Sequence, residues 1–156
     1  MRLVRILLAT ALLLLVGCGD VLSQSRSVCV SAYNEYERGI HEFWLDNEGK
    51  AGCHGNPPGR EDPDDFGGGG KFTCGCRVTP GKQVSLFWEF RQTWDEYEAG
   101  IEPEHRKVQV TIPQPESRTS EYLRVYFMKD GSAALQWVDD MGAPTLPPSQ
   151  GGRQDE

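Results

Sequence analysis

The chain's chemistry centres on five cysteines, which divide into one and four. Cys18 closes the tetrapeptide Leu15-Val16-Gly17-Cys18, which has the form of a lipobox. A thiol in that setting takes a diacylglycerol as a thioether, and the lipoprotein signal peptidase then cuts before it. The preceding segment is built as a secretion signal, with Arg2 and Arg5 at its start and an 11-residue run, residues 6–16, broken only by Thr10. That run is too short to span a bilayer as a helix, which takes about 20 apolar residues. Residues 1–17 are therefore expected to be a lipoprotein signal peptide, Cys18 the lipid attachment point and residues 18–26 a tether. An ordinary secretion signal with an incidental Cys18 is the plain alternative. Each buried methylene contributes about 0.8 kcal/mol, so two or three acyl chains would hold the protein at its membrane. Gly19, not Asp, follows the cysteine. By the sorting rule of enteric bacteria this favours the outer membrane, with the chain lipid-anchored and facing the periplasm.

Cys29, Cys53, Cys74 and Cys76 remain in the folded part. In an oxidising compartment an even number of thiols reads as disulfides. Cys74 and Cys76 on an extended strand point the same way, about 7 Å apart, which is awkward for a mutual bond. Each is expected to pair with Cys29 or Cys53, in either arrangement. The rival readings are free buried thiols and a zinc site from Cys53, His54, Cys74 and Cys76, but a single residue between the last two is too few for the usual ribbon or finger.

Other chemistry finds little to rest on. No serine sits in a Gly-x-Ser-x-Gly turn. His41, His54 and His105 lack metal-pair spacing. Gly67–Gly70 is followed by Lys71-Phe72 and not by the Lys-Ser or Lys-Thr of a phosphate loop. The acidic run Glu61-Asp62-Pro63-Asp64-Asp65 lacks the alternating ligands and closing Glu of a calcium loop. No catalytic residue, cofactor or metal site is expected, and the chain reads as a non-enzyme.

The elements that must carry these residues are short β-type runs bounded by turn residues: 27–33, 40–45, 71–78, 83–90, 106–112, 121–128 and 133–138. Val108, Val110 and Ile112 alternate against Lys107, Gln109 and Thr111. Leu123, Val125 and Phe127 alternate against Tyr122, Arg124 and Tyr126. Both patterns mark half-buried strands. Asp130-Gly131 signals a hairpin, and Thr79-Pro80-Gly81-Lys82 is expected to do the same service between the third and fourth runs. Only residues 92–100 suggest a helical turn or two, with Trp94 and Tyr97 on one side, stopped by Gly100 and Pro103. Seven strands around one core indicate an all-β fold, a small β-sandwich of immunoglobulin-like or similar shape over residues 27–141. Residues 142–156, rich in Pro, Gly and Gln, read as a disordered tail.

Residues 47–70 form a long Gly/Pro/acidic loop, and loops of this length usually act in binding or remain unstructured. Cys53 implies a staple. Glu61, Asp62, Asp64, Asp65 and Phe66 are the expected partner-binding residues there, against the alternative of a solvated insertion. Adjacent aromatics such as Phe43-Trp44 and Phe87-Trp88 must face opposite sides of a strand, which makes Trp44 a candidate outward anchor.

Charge narrows the partner. Removing residues 1–17 takes away two arginines and no acid, so the formal charge of −7 becomes −9. Nucleic acid and anionic head groups fit that charge poorly, and a basic protein surface fits it well.

Ala32-Tyr33-Asn34, then Ile40 and Phe43-Trp44, and above all Gly67-Gly68-Gly69-Gly70-Lys71-Phe72-Thr73-Cys74-Gly75-Cys76, resemble a family of bacterial lipoproteins carrying a domain of unknown function. The family pattern is Tyr-Asn, a glycine run, x-Phe-x-Cys-Cys, and the resemblance spans roughly residues 28–138. The chain departs from it in Gly75, between cysteines that are adjacent in the pattern, and in a longer acidic loop. Genes of that family often lie beside type VI secretion lipase effectors. The resemblance thus implies an immunity lipoprotein that binds and blocks a cognate phospholipase. The rivals are a structural or adaptor lipoprotein binding another envelope protein, a small-ligand binder using exposed aromatics and, last, an enzyme.

Overall fold

The computed structural model describes residues 24–46, 52–142 and 144. The expected signal peptide, Cys18, most of the expected tether and nearly all of the expected tail fall outside the described residues. The strands are β1 (Arg26–Asn34), β2 (Ile40–Leu45), β3 (His54–Gly55), β4 (Gly67–Val78), β5 (Gln83–Phe90), β6 (His105–Thr111), β7 (Tyr122–Phe127) and β8 (Ala133–Val138), with one helix, α1 (Trp94–Glu98), between β5 and β6. They form two four-stranded sheets, ordered β4-β1-β7-β8 and β3-β2-β5-β6. The protein is an all-β sandwich. All seven expected runs are strands, and an eighth, β3, lies inside the long loop.

The core follows from the period-2 pattern. Val28, Val30 and Ala32 of β1 and Leu123, Val125 and Phe127 of β7 turn inward against Ile40, Phe43, Leu45, Leu86, Trp88 and Phe90 of the other sheet. Phe127 joins the layers, its ring 5.2 Å from both Phe43 and Trp88. Each such buried side chain contributes roughly 1.5–3 kcal/mol relative to exposure. The outward face of β7 is covered as well. Arg124 and Tyr126 are buried, because Tyr33 stacks on Tyr126 and Phe66 closes edge-on over both rings.

One connection differs from the sequence expectation. Thr79–Lys82 closes through the Lys82 N–H on the Thr79 carbonyl, with Gly81 at φ 78°. That turn carries the chain from β4 in one sheet to β5 in the other and makes no hairpin. β1 and β7 pair in parallel, while every other ladder is antiparallel. The Asp130-Gly131 signal does make the β7–β8 hairpin, with the Gly131 N–H closing on the Met128 carbonyl.

The cysteines pair as Cys29–Cys74 and Cys53–Cys76. Each of Cys74 and Cys76 thus finds a partner elsewhere, and the thiolates of the zinc reading, Cys53, Cys74 and Cys76, are all taken up in disulfides. The premise that the two point the same way is overturned. Val28 opposes Cys76 and Cys29 opposes Cys74, so Gly75 is an extra residue on β4, at φ 83°. A bulge of this kind shifts the alternation by one. Cys74 faces out to Cys29, and Cys76 faces into the core, where Cys53 and Cys76 are both 0% exposed.

The described part of the long loop is ordered by more than the staple. The Asn34 side-chain amide donates to the Pro58 and Arg38 carbonyls, Ile40 N–H to Pro57, and Arg60 N–H to Tyr36. These bonds lay residues 52–60 along the ends of β1 and β2.

Candidate functional site

Four large hydrophobic side chains among the described residues are more than half exposed, and three of them occupy one short stretch: Trp94 at 68%, Tyr97 at 65% and Ile101 at 54%. The fourth, Phe72, lies on β4. α1 buries none of its residues, so core packing does not account for its order. Local chemistry does. Thr93 and Glu96 form a reciprocal capping box, the Thr93 hydroxyl accepting from Glu96 N–H at 3.2 Å and the Glu96 carboxylate accepting from Thr93 N–H at 2.7 Å. A cap of this kind stabilises a helix by about 1 kcal/mol. Trp94 and Tyr97, three apart, lie on one side with ring centroids 5.8 Å apart.

Arg38 fastens this turn to the sandwich. Its guanidinium donates to the Arg91 carbonyl at 2.7 Å and to Glu96 at 2.7 Å, lies 3.7 Å from Glu104, and covers the Phe90 ring. Beyond the helix, Ile101 N–H reaches back to the Glu96 carbonyl and the Gln92 amide to the Ile101 carbonyl. Between α1 and the sheet lies an open cleft of about 380 Å³ edged by His41, Arg91, Trp94 and Tyr97. Asp95, Glu98 and Glu102, close in sequence to the aromatic pair, are exposed.

Glu96 gives this site a pH signature. The Thr93 backbone N–H holds its carboxyl below the ordinary range, with desolvation opposing and the Thr93 side chain and Arg38 reinforcing the shift. A lowered folded pKa means that the contribution is present above the unfolded value and is lost as pH falls through the lowered one. Acidification is therefore expected to leave α1 intact down to the ordinary Glu value of 4.5 and loosen it below. Trp94 fluorescence would follow the change, and Glu96→Gln should abolish the transition; an unchanged transition in that variant would place its origin elsewhere.

The residues expected from sequence fall in different places. Glu61, Asp62, Asp64 and Asp65 are exposed on a tight turn. Asp62 accepts from Asp64 N–H at 2.9 Å through its side chain and from Asp65 N–H through its carbonyl, and Arg60 reaches the Pro63 carbonyl. Phe66 is half-buried against Tyr33 and Tyr126, so it secures the loop to the sheet instead of projecting from it. Trp44 faces outward but is half-covered, its ring 4.9 Å from that of His54 on β3. The acidic turn lies near the pole that carries α1, through Arg60 and Tyr36, whereas Trp44 sits farther along β2. Ile101 had no sequence signal of its own. The Thr93-x-x-Glu96 capping box with aromatics three apart was the available signal for the rest of the knob.

A second concavity of about 660 Å³ opens between the edge strands β3 and β4, over Val30, Ala32 and Phe43. It arises because Gly69, Gly70 and Lys71 together face Ala32 alone, so β4 bows away from β1. No group of three or more His, Cys, Asp or Glu side chains suited to a metal occurs among the described residues.

Compared with protein-family models, curated proteins and solved structures, the chain matches none.

Proposed function

We propose that this chain is a lipid-anchored protein of the periplasmic face that binds and neutralises a phospholipase effector of type VI secretion, stoichiometrically and without catalysis. The observation that carries the binding role is the α1 pole: aromatic side chains on a turn fastened by a capping box and an ion pair, left out of the core, on a domain of strongly acidic charge. Fixing such groups in advance lowers the ordering cost of association, and buried aromatic centres supply most of the energy of tight interfaces. The effector class rests on the resemblance at Gly67–Cys76, and the lipobox at Cys18 supports placement at the membrane such an enzyme attacks. The two disulfides are compatible with that compartment.

The test is a pull-down of the mature protein against the product of the neighbouring gene, followed by a phospholipase assay on the complex. A tight complex without lipase activity is the expected result. A partner with no lipase activity would make the protein an envelope adaptor instead. Within the complex, replacing Asp62, Asp64 and Asp65 together by Asn should slow association at low salt by roughly tenfold and flatten its salt dependence, because exposed charges act on encounter more than on the bound state. Unchanged rates in stopped-flow would remove the acidic turn from the interface.

A further inference from the structure

Building on that reading, we infer that the α1 knob enters the acyl-chain cleft of the lipase, with Trp94, Tyr97 and Ile101 taking the place of lipid tails and Asp95, Glu98 and Glu102 meeting the cationic groups that face the lipid phosphate. An exposed patch that joins a large apolar centre to several carboxylates has the chemistry of an anionic lipid: apolar body, negative rim. Asp95, Glu98 and Glu102 form no ion pair among the described residues, whereas Glu96 and Glu104 are taken up by Arg38 and Arg106. The free carboxylates thus lie close in sequence to the aromatic pair while the paired ones fasten it. A complementary surface is an apolar cleft edged by basic side chains.

Position within the fold favours a protein cleft over the bilayer. The chain enters the sandwich at Arg26, the start of β1, beside Val78 at the end of β4. α1 is fastened at the other pole, where Arg91 N–H meets the Gly39 carbonyl and Ile40 opposes Phe90. Nine strand residues separate the two poles, on the order of 26 Å. The knob therefore projects from the pole opposite the tether, and its carboxylates would meet anionic head groups unfavourably.

The experiment uses the lipid-modified protein in vesicles of ether-linked phospholipid, the lipase encoded beside it, and a soluble short-chain ester as substrate. Ester and native protein should compete, so that the apparent dissociation constant of the complex rises in proportion to the ester concentration. The double variant Trp94→Ser/Tyr97→Ser should bind at least thirtyfold more weakly, as loss of a buried aromatic anchor does, while Phe72→Ser binds as the native protein does. Both variants alter exposed positions, and matching melting curves would show that they fold. Undiminished binding by the double variant overturns the knob as the contact yet leaves the neutralising role standing. An apparent dissociation constant independent of ester concentration places the knob outside the cleft and also overturns it. Absence of any complex with the lipase brings down this inference together with the function it rests on. Quenching of Trp94 by brominated phosphatidylglycerol vesicles, lost in Trp94→Phe, would assign the knob to the bilayer and overturn it as well.

Discussion

Replacing Cys53 and Cys76 together by Ala is expected to lower the unfolding free energy by roughly 3–5 kcal/mol, a large share of the 5–15 kcal/mol typical of a domain. Closing a loop with a sequence separation of 23 removes about 3 kcal/mol of chain entropy from the unfolded state. Both sulfurs also sit inside the apolar cluster, so their loss leaves unfilled space. The bond has a further local role. β3 is only two residues long and meets β2 through Phe43–Gly55 and Trp44–His54, a ladder too short to hold the loop alone. Urea unfolding followed by tryptophan fluorescence should show a midpoint lower by about 2 M for an m value near 1.5–2 kcal/mol/M. A midpoint equal to that of the native protein would mean that this pair is not bonded in the folded state. Cys29–Cys74 differs in exposure, since Cys74 faces solvent and its ladder position beside Cys29 is kept by the β1–β4 pairing.

Within the glycine run, Gly68→Ala is expected to cost about 4 kcal/mol, whereas Gly70→Ala should be neutral or stabilising by a few tenths of a kcal/mol. Gly68 has φ 110°, and a Cβ there would stand 2.4 Å from the Ala32 carbonyl oxygen. Backbone cannot swing aside as a side chain does, so the strand must separate from β1 or the residue must change conformation. Gly70 has neither constraint, with nothing within 4 Å of its added Cβ, and alanine there restricts only the unfolded chain. Thermal unfolding of the two single variants measures the contrast directly. Equal losses at both positions would show that the run is required for something other than the close approach of β4 to β1.

The two predictions mark what sequence reasoning could reach. Alternation in Val108–Ile112 and Leu123–Phe127 identified strands and their inward faces because a period of two follows from local geometry. The pairing of strands into sheets was not legible, since it depends on contacts across the whole chain: the Thr79–Lys82 turn has a hairpin's residues but serves as a corner between sheets, and nothing local marks β1 and β7 as parallel neighbours. The opposite facing of Cys74 and Cys76 hinged on one bulged glycine, which strict alternation does not anticipate. At the candidate site, the loop carboxylates were legible as exposed because charge resists burial. Phe66 and Trp44 were not legible as half-covered, because their covers, Tyr126 and His54, come from other segments. The α1 pole was visible as a helical turn. Its separation from the core depended on how β5 and β6 are joined.

The placement of β1 also bears on how the domain withstands load. β1 is the first strand of the described residues and lies between β4 and β7, while α1 projects from the pole opposite Arg26. Were the chain anchored ahead of Arg26 and a partner held at the α1 pole, as proposed, a tug on the partner would pull along the β1 axis. Force in that direction loads the β4 and β7 ladders in shear, so their hydrogen bonds resist together instead of opening one after another, and Cys29–Cys74 ties β1 covalently to the strand beside it. A strand at the sheet edge, peeled from one side, would yield at far lower force. On the proposed anchoring and binding, β1 would be the mechanically strongest link between anchor and partner.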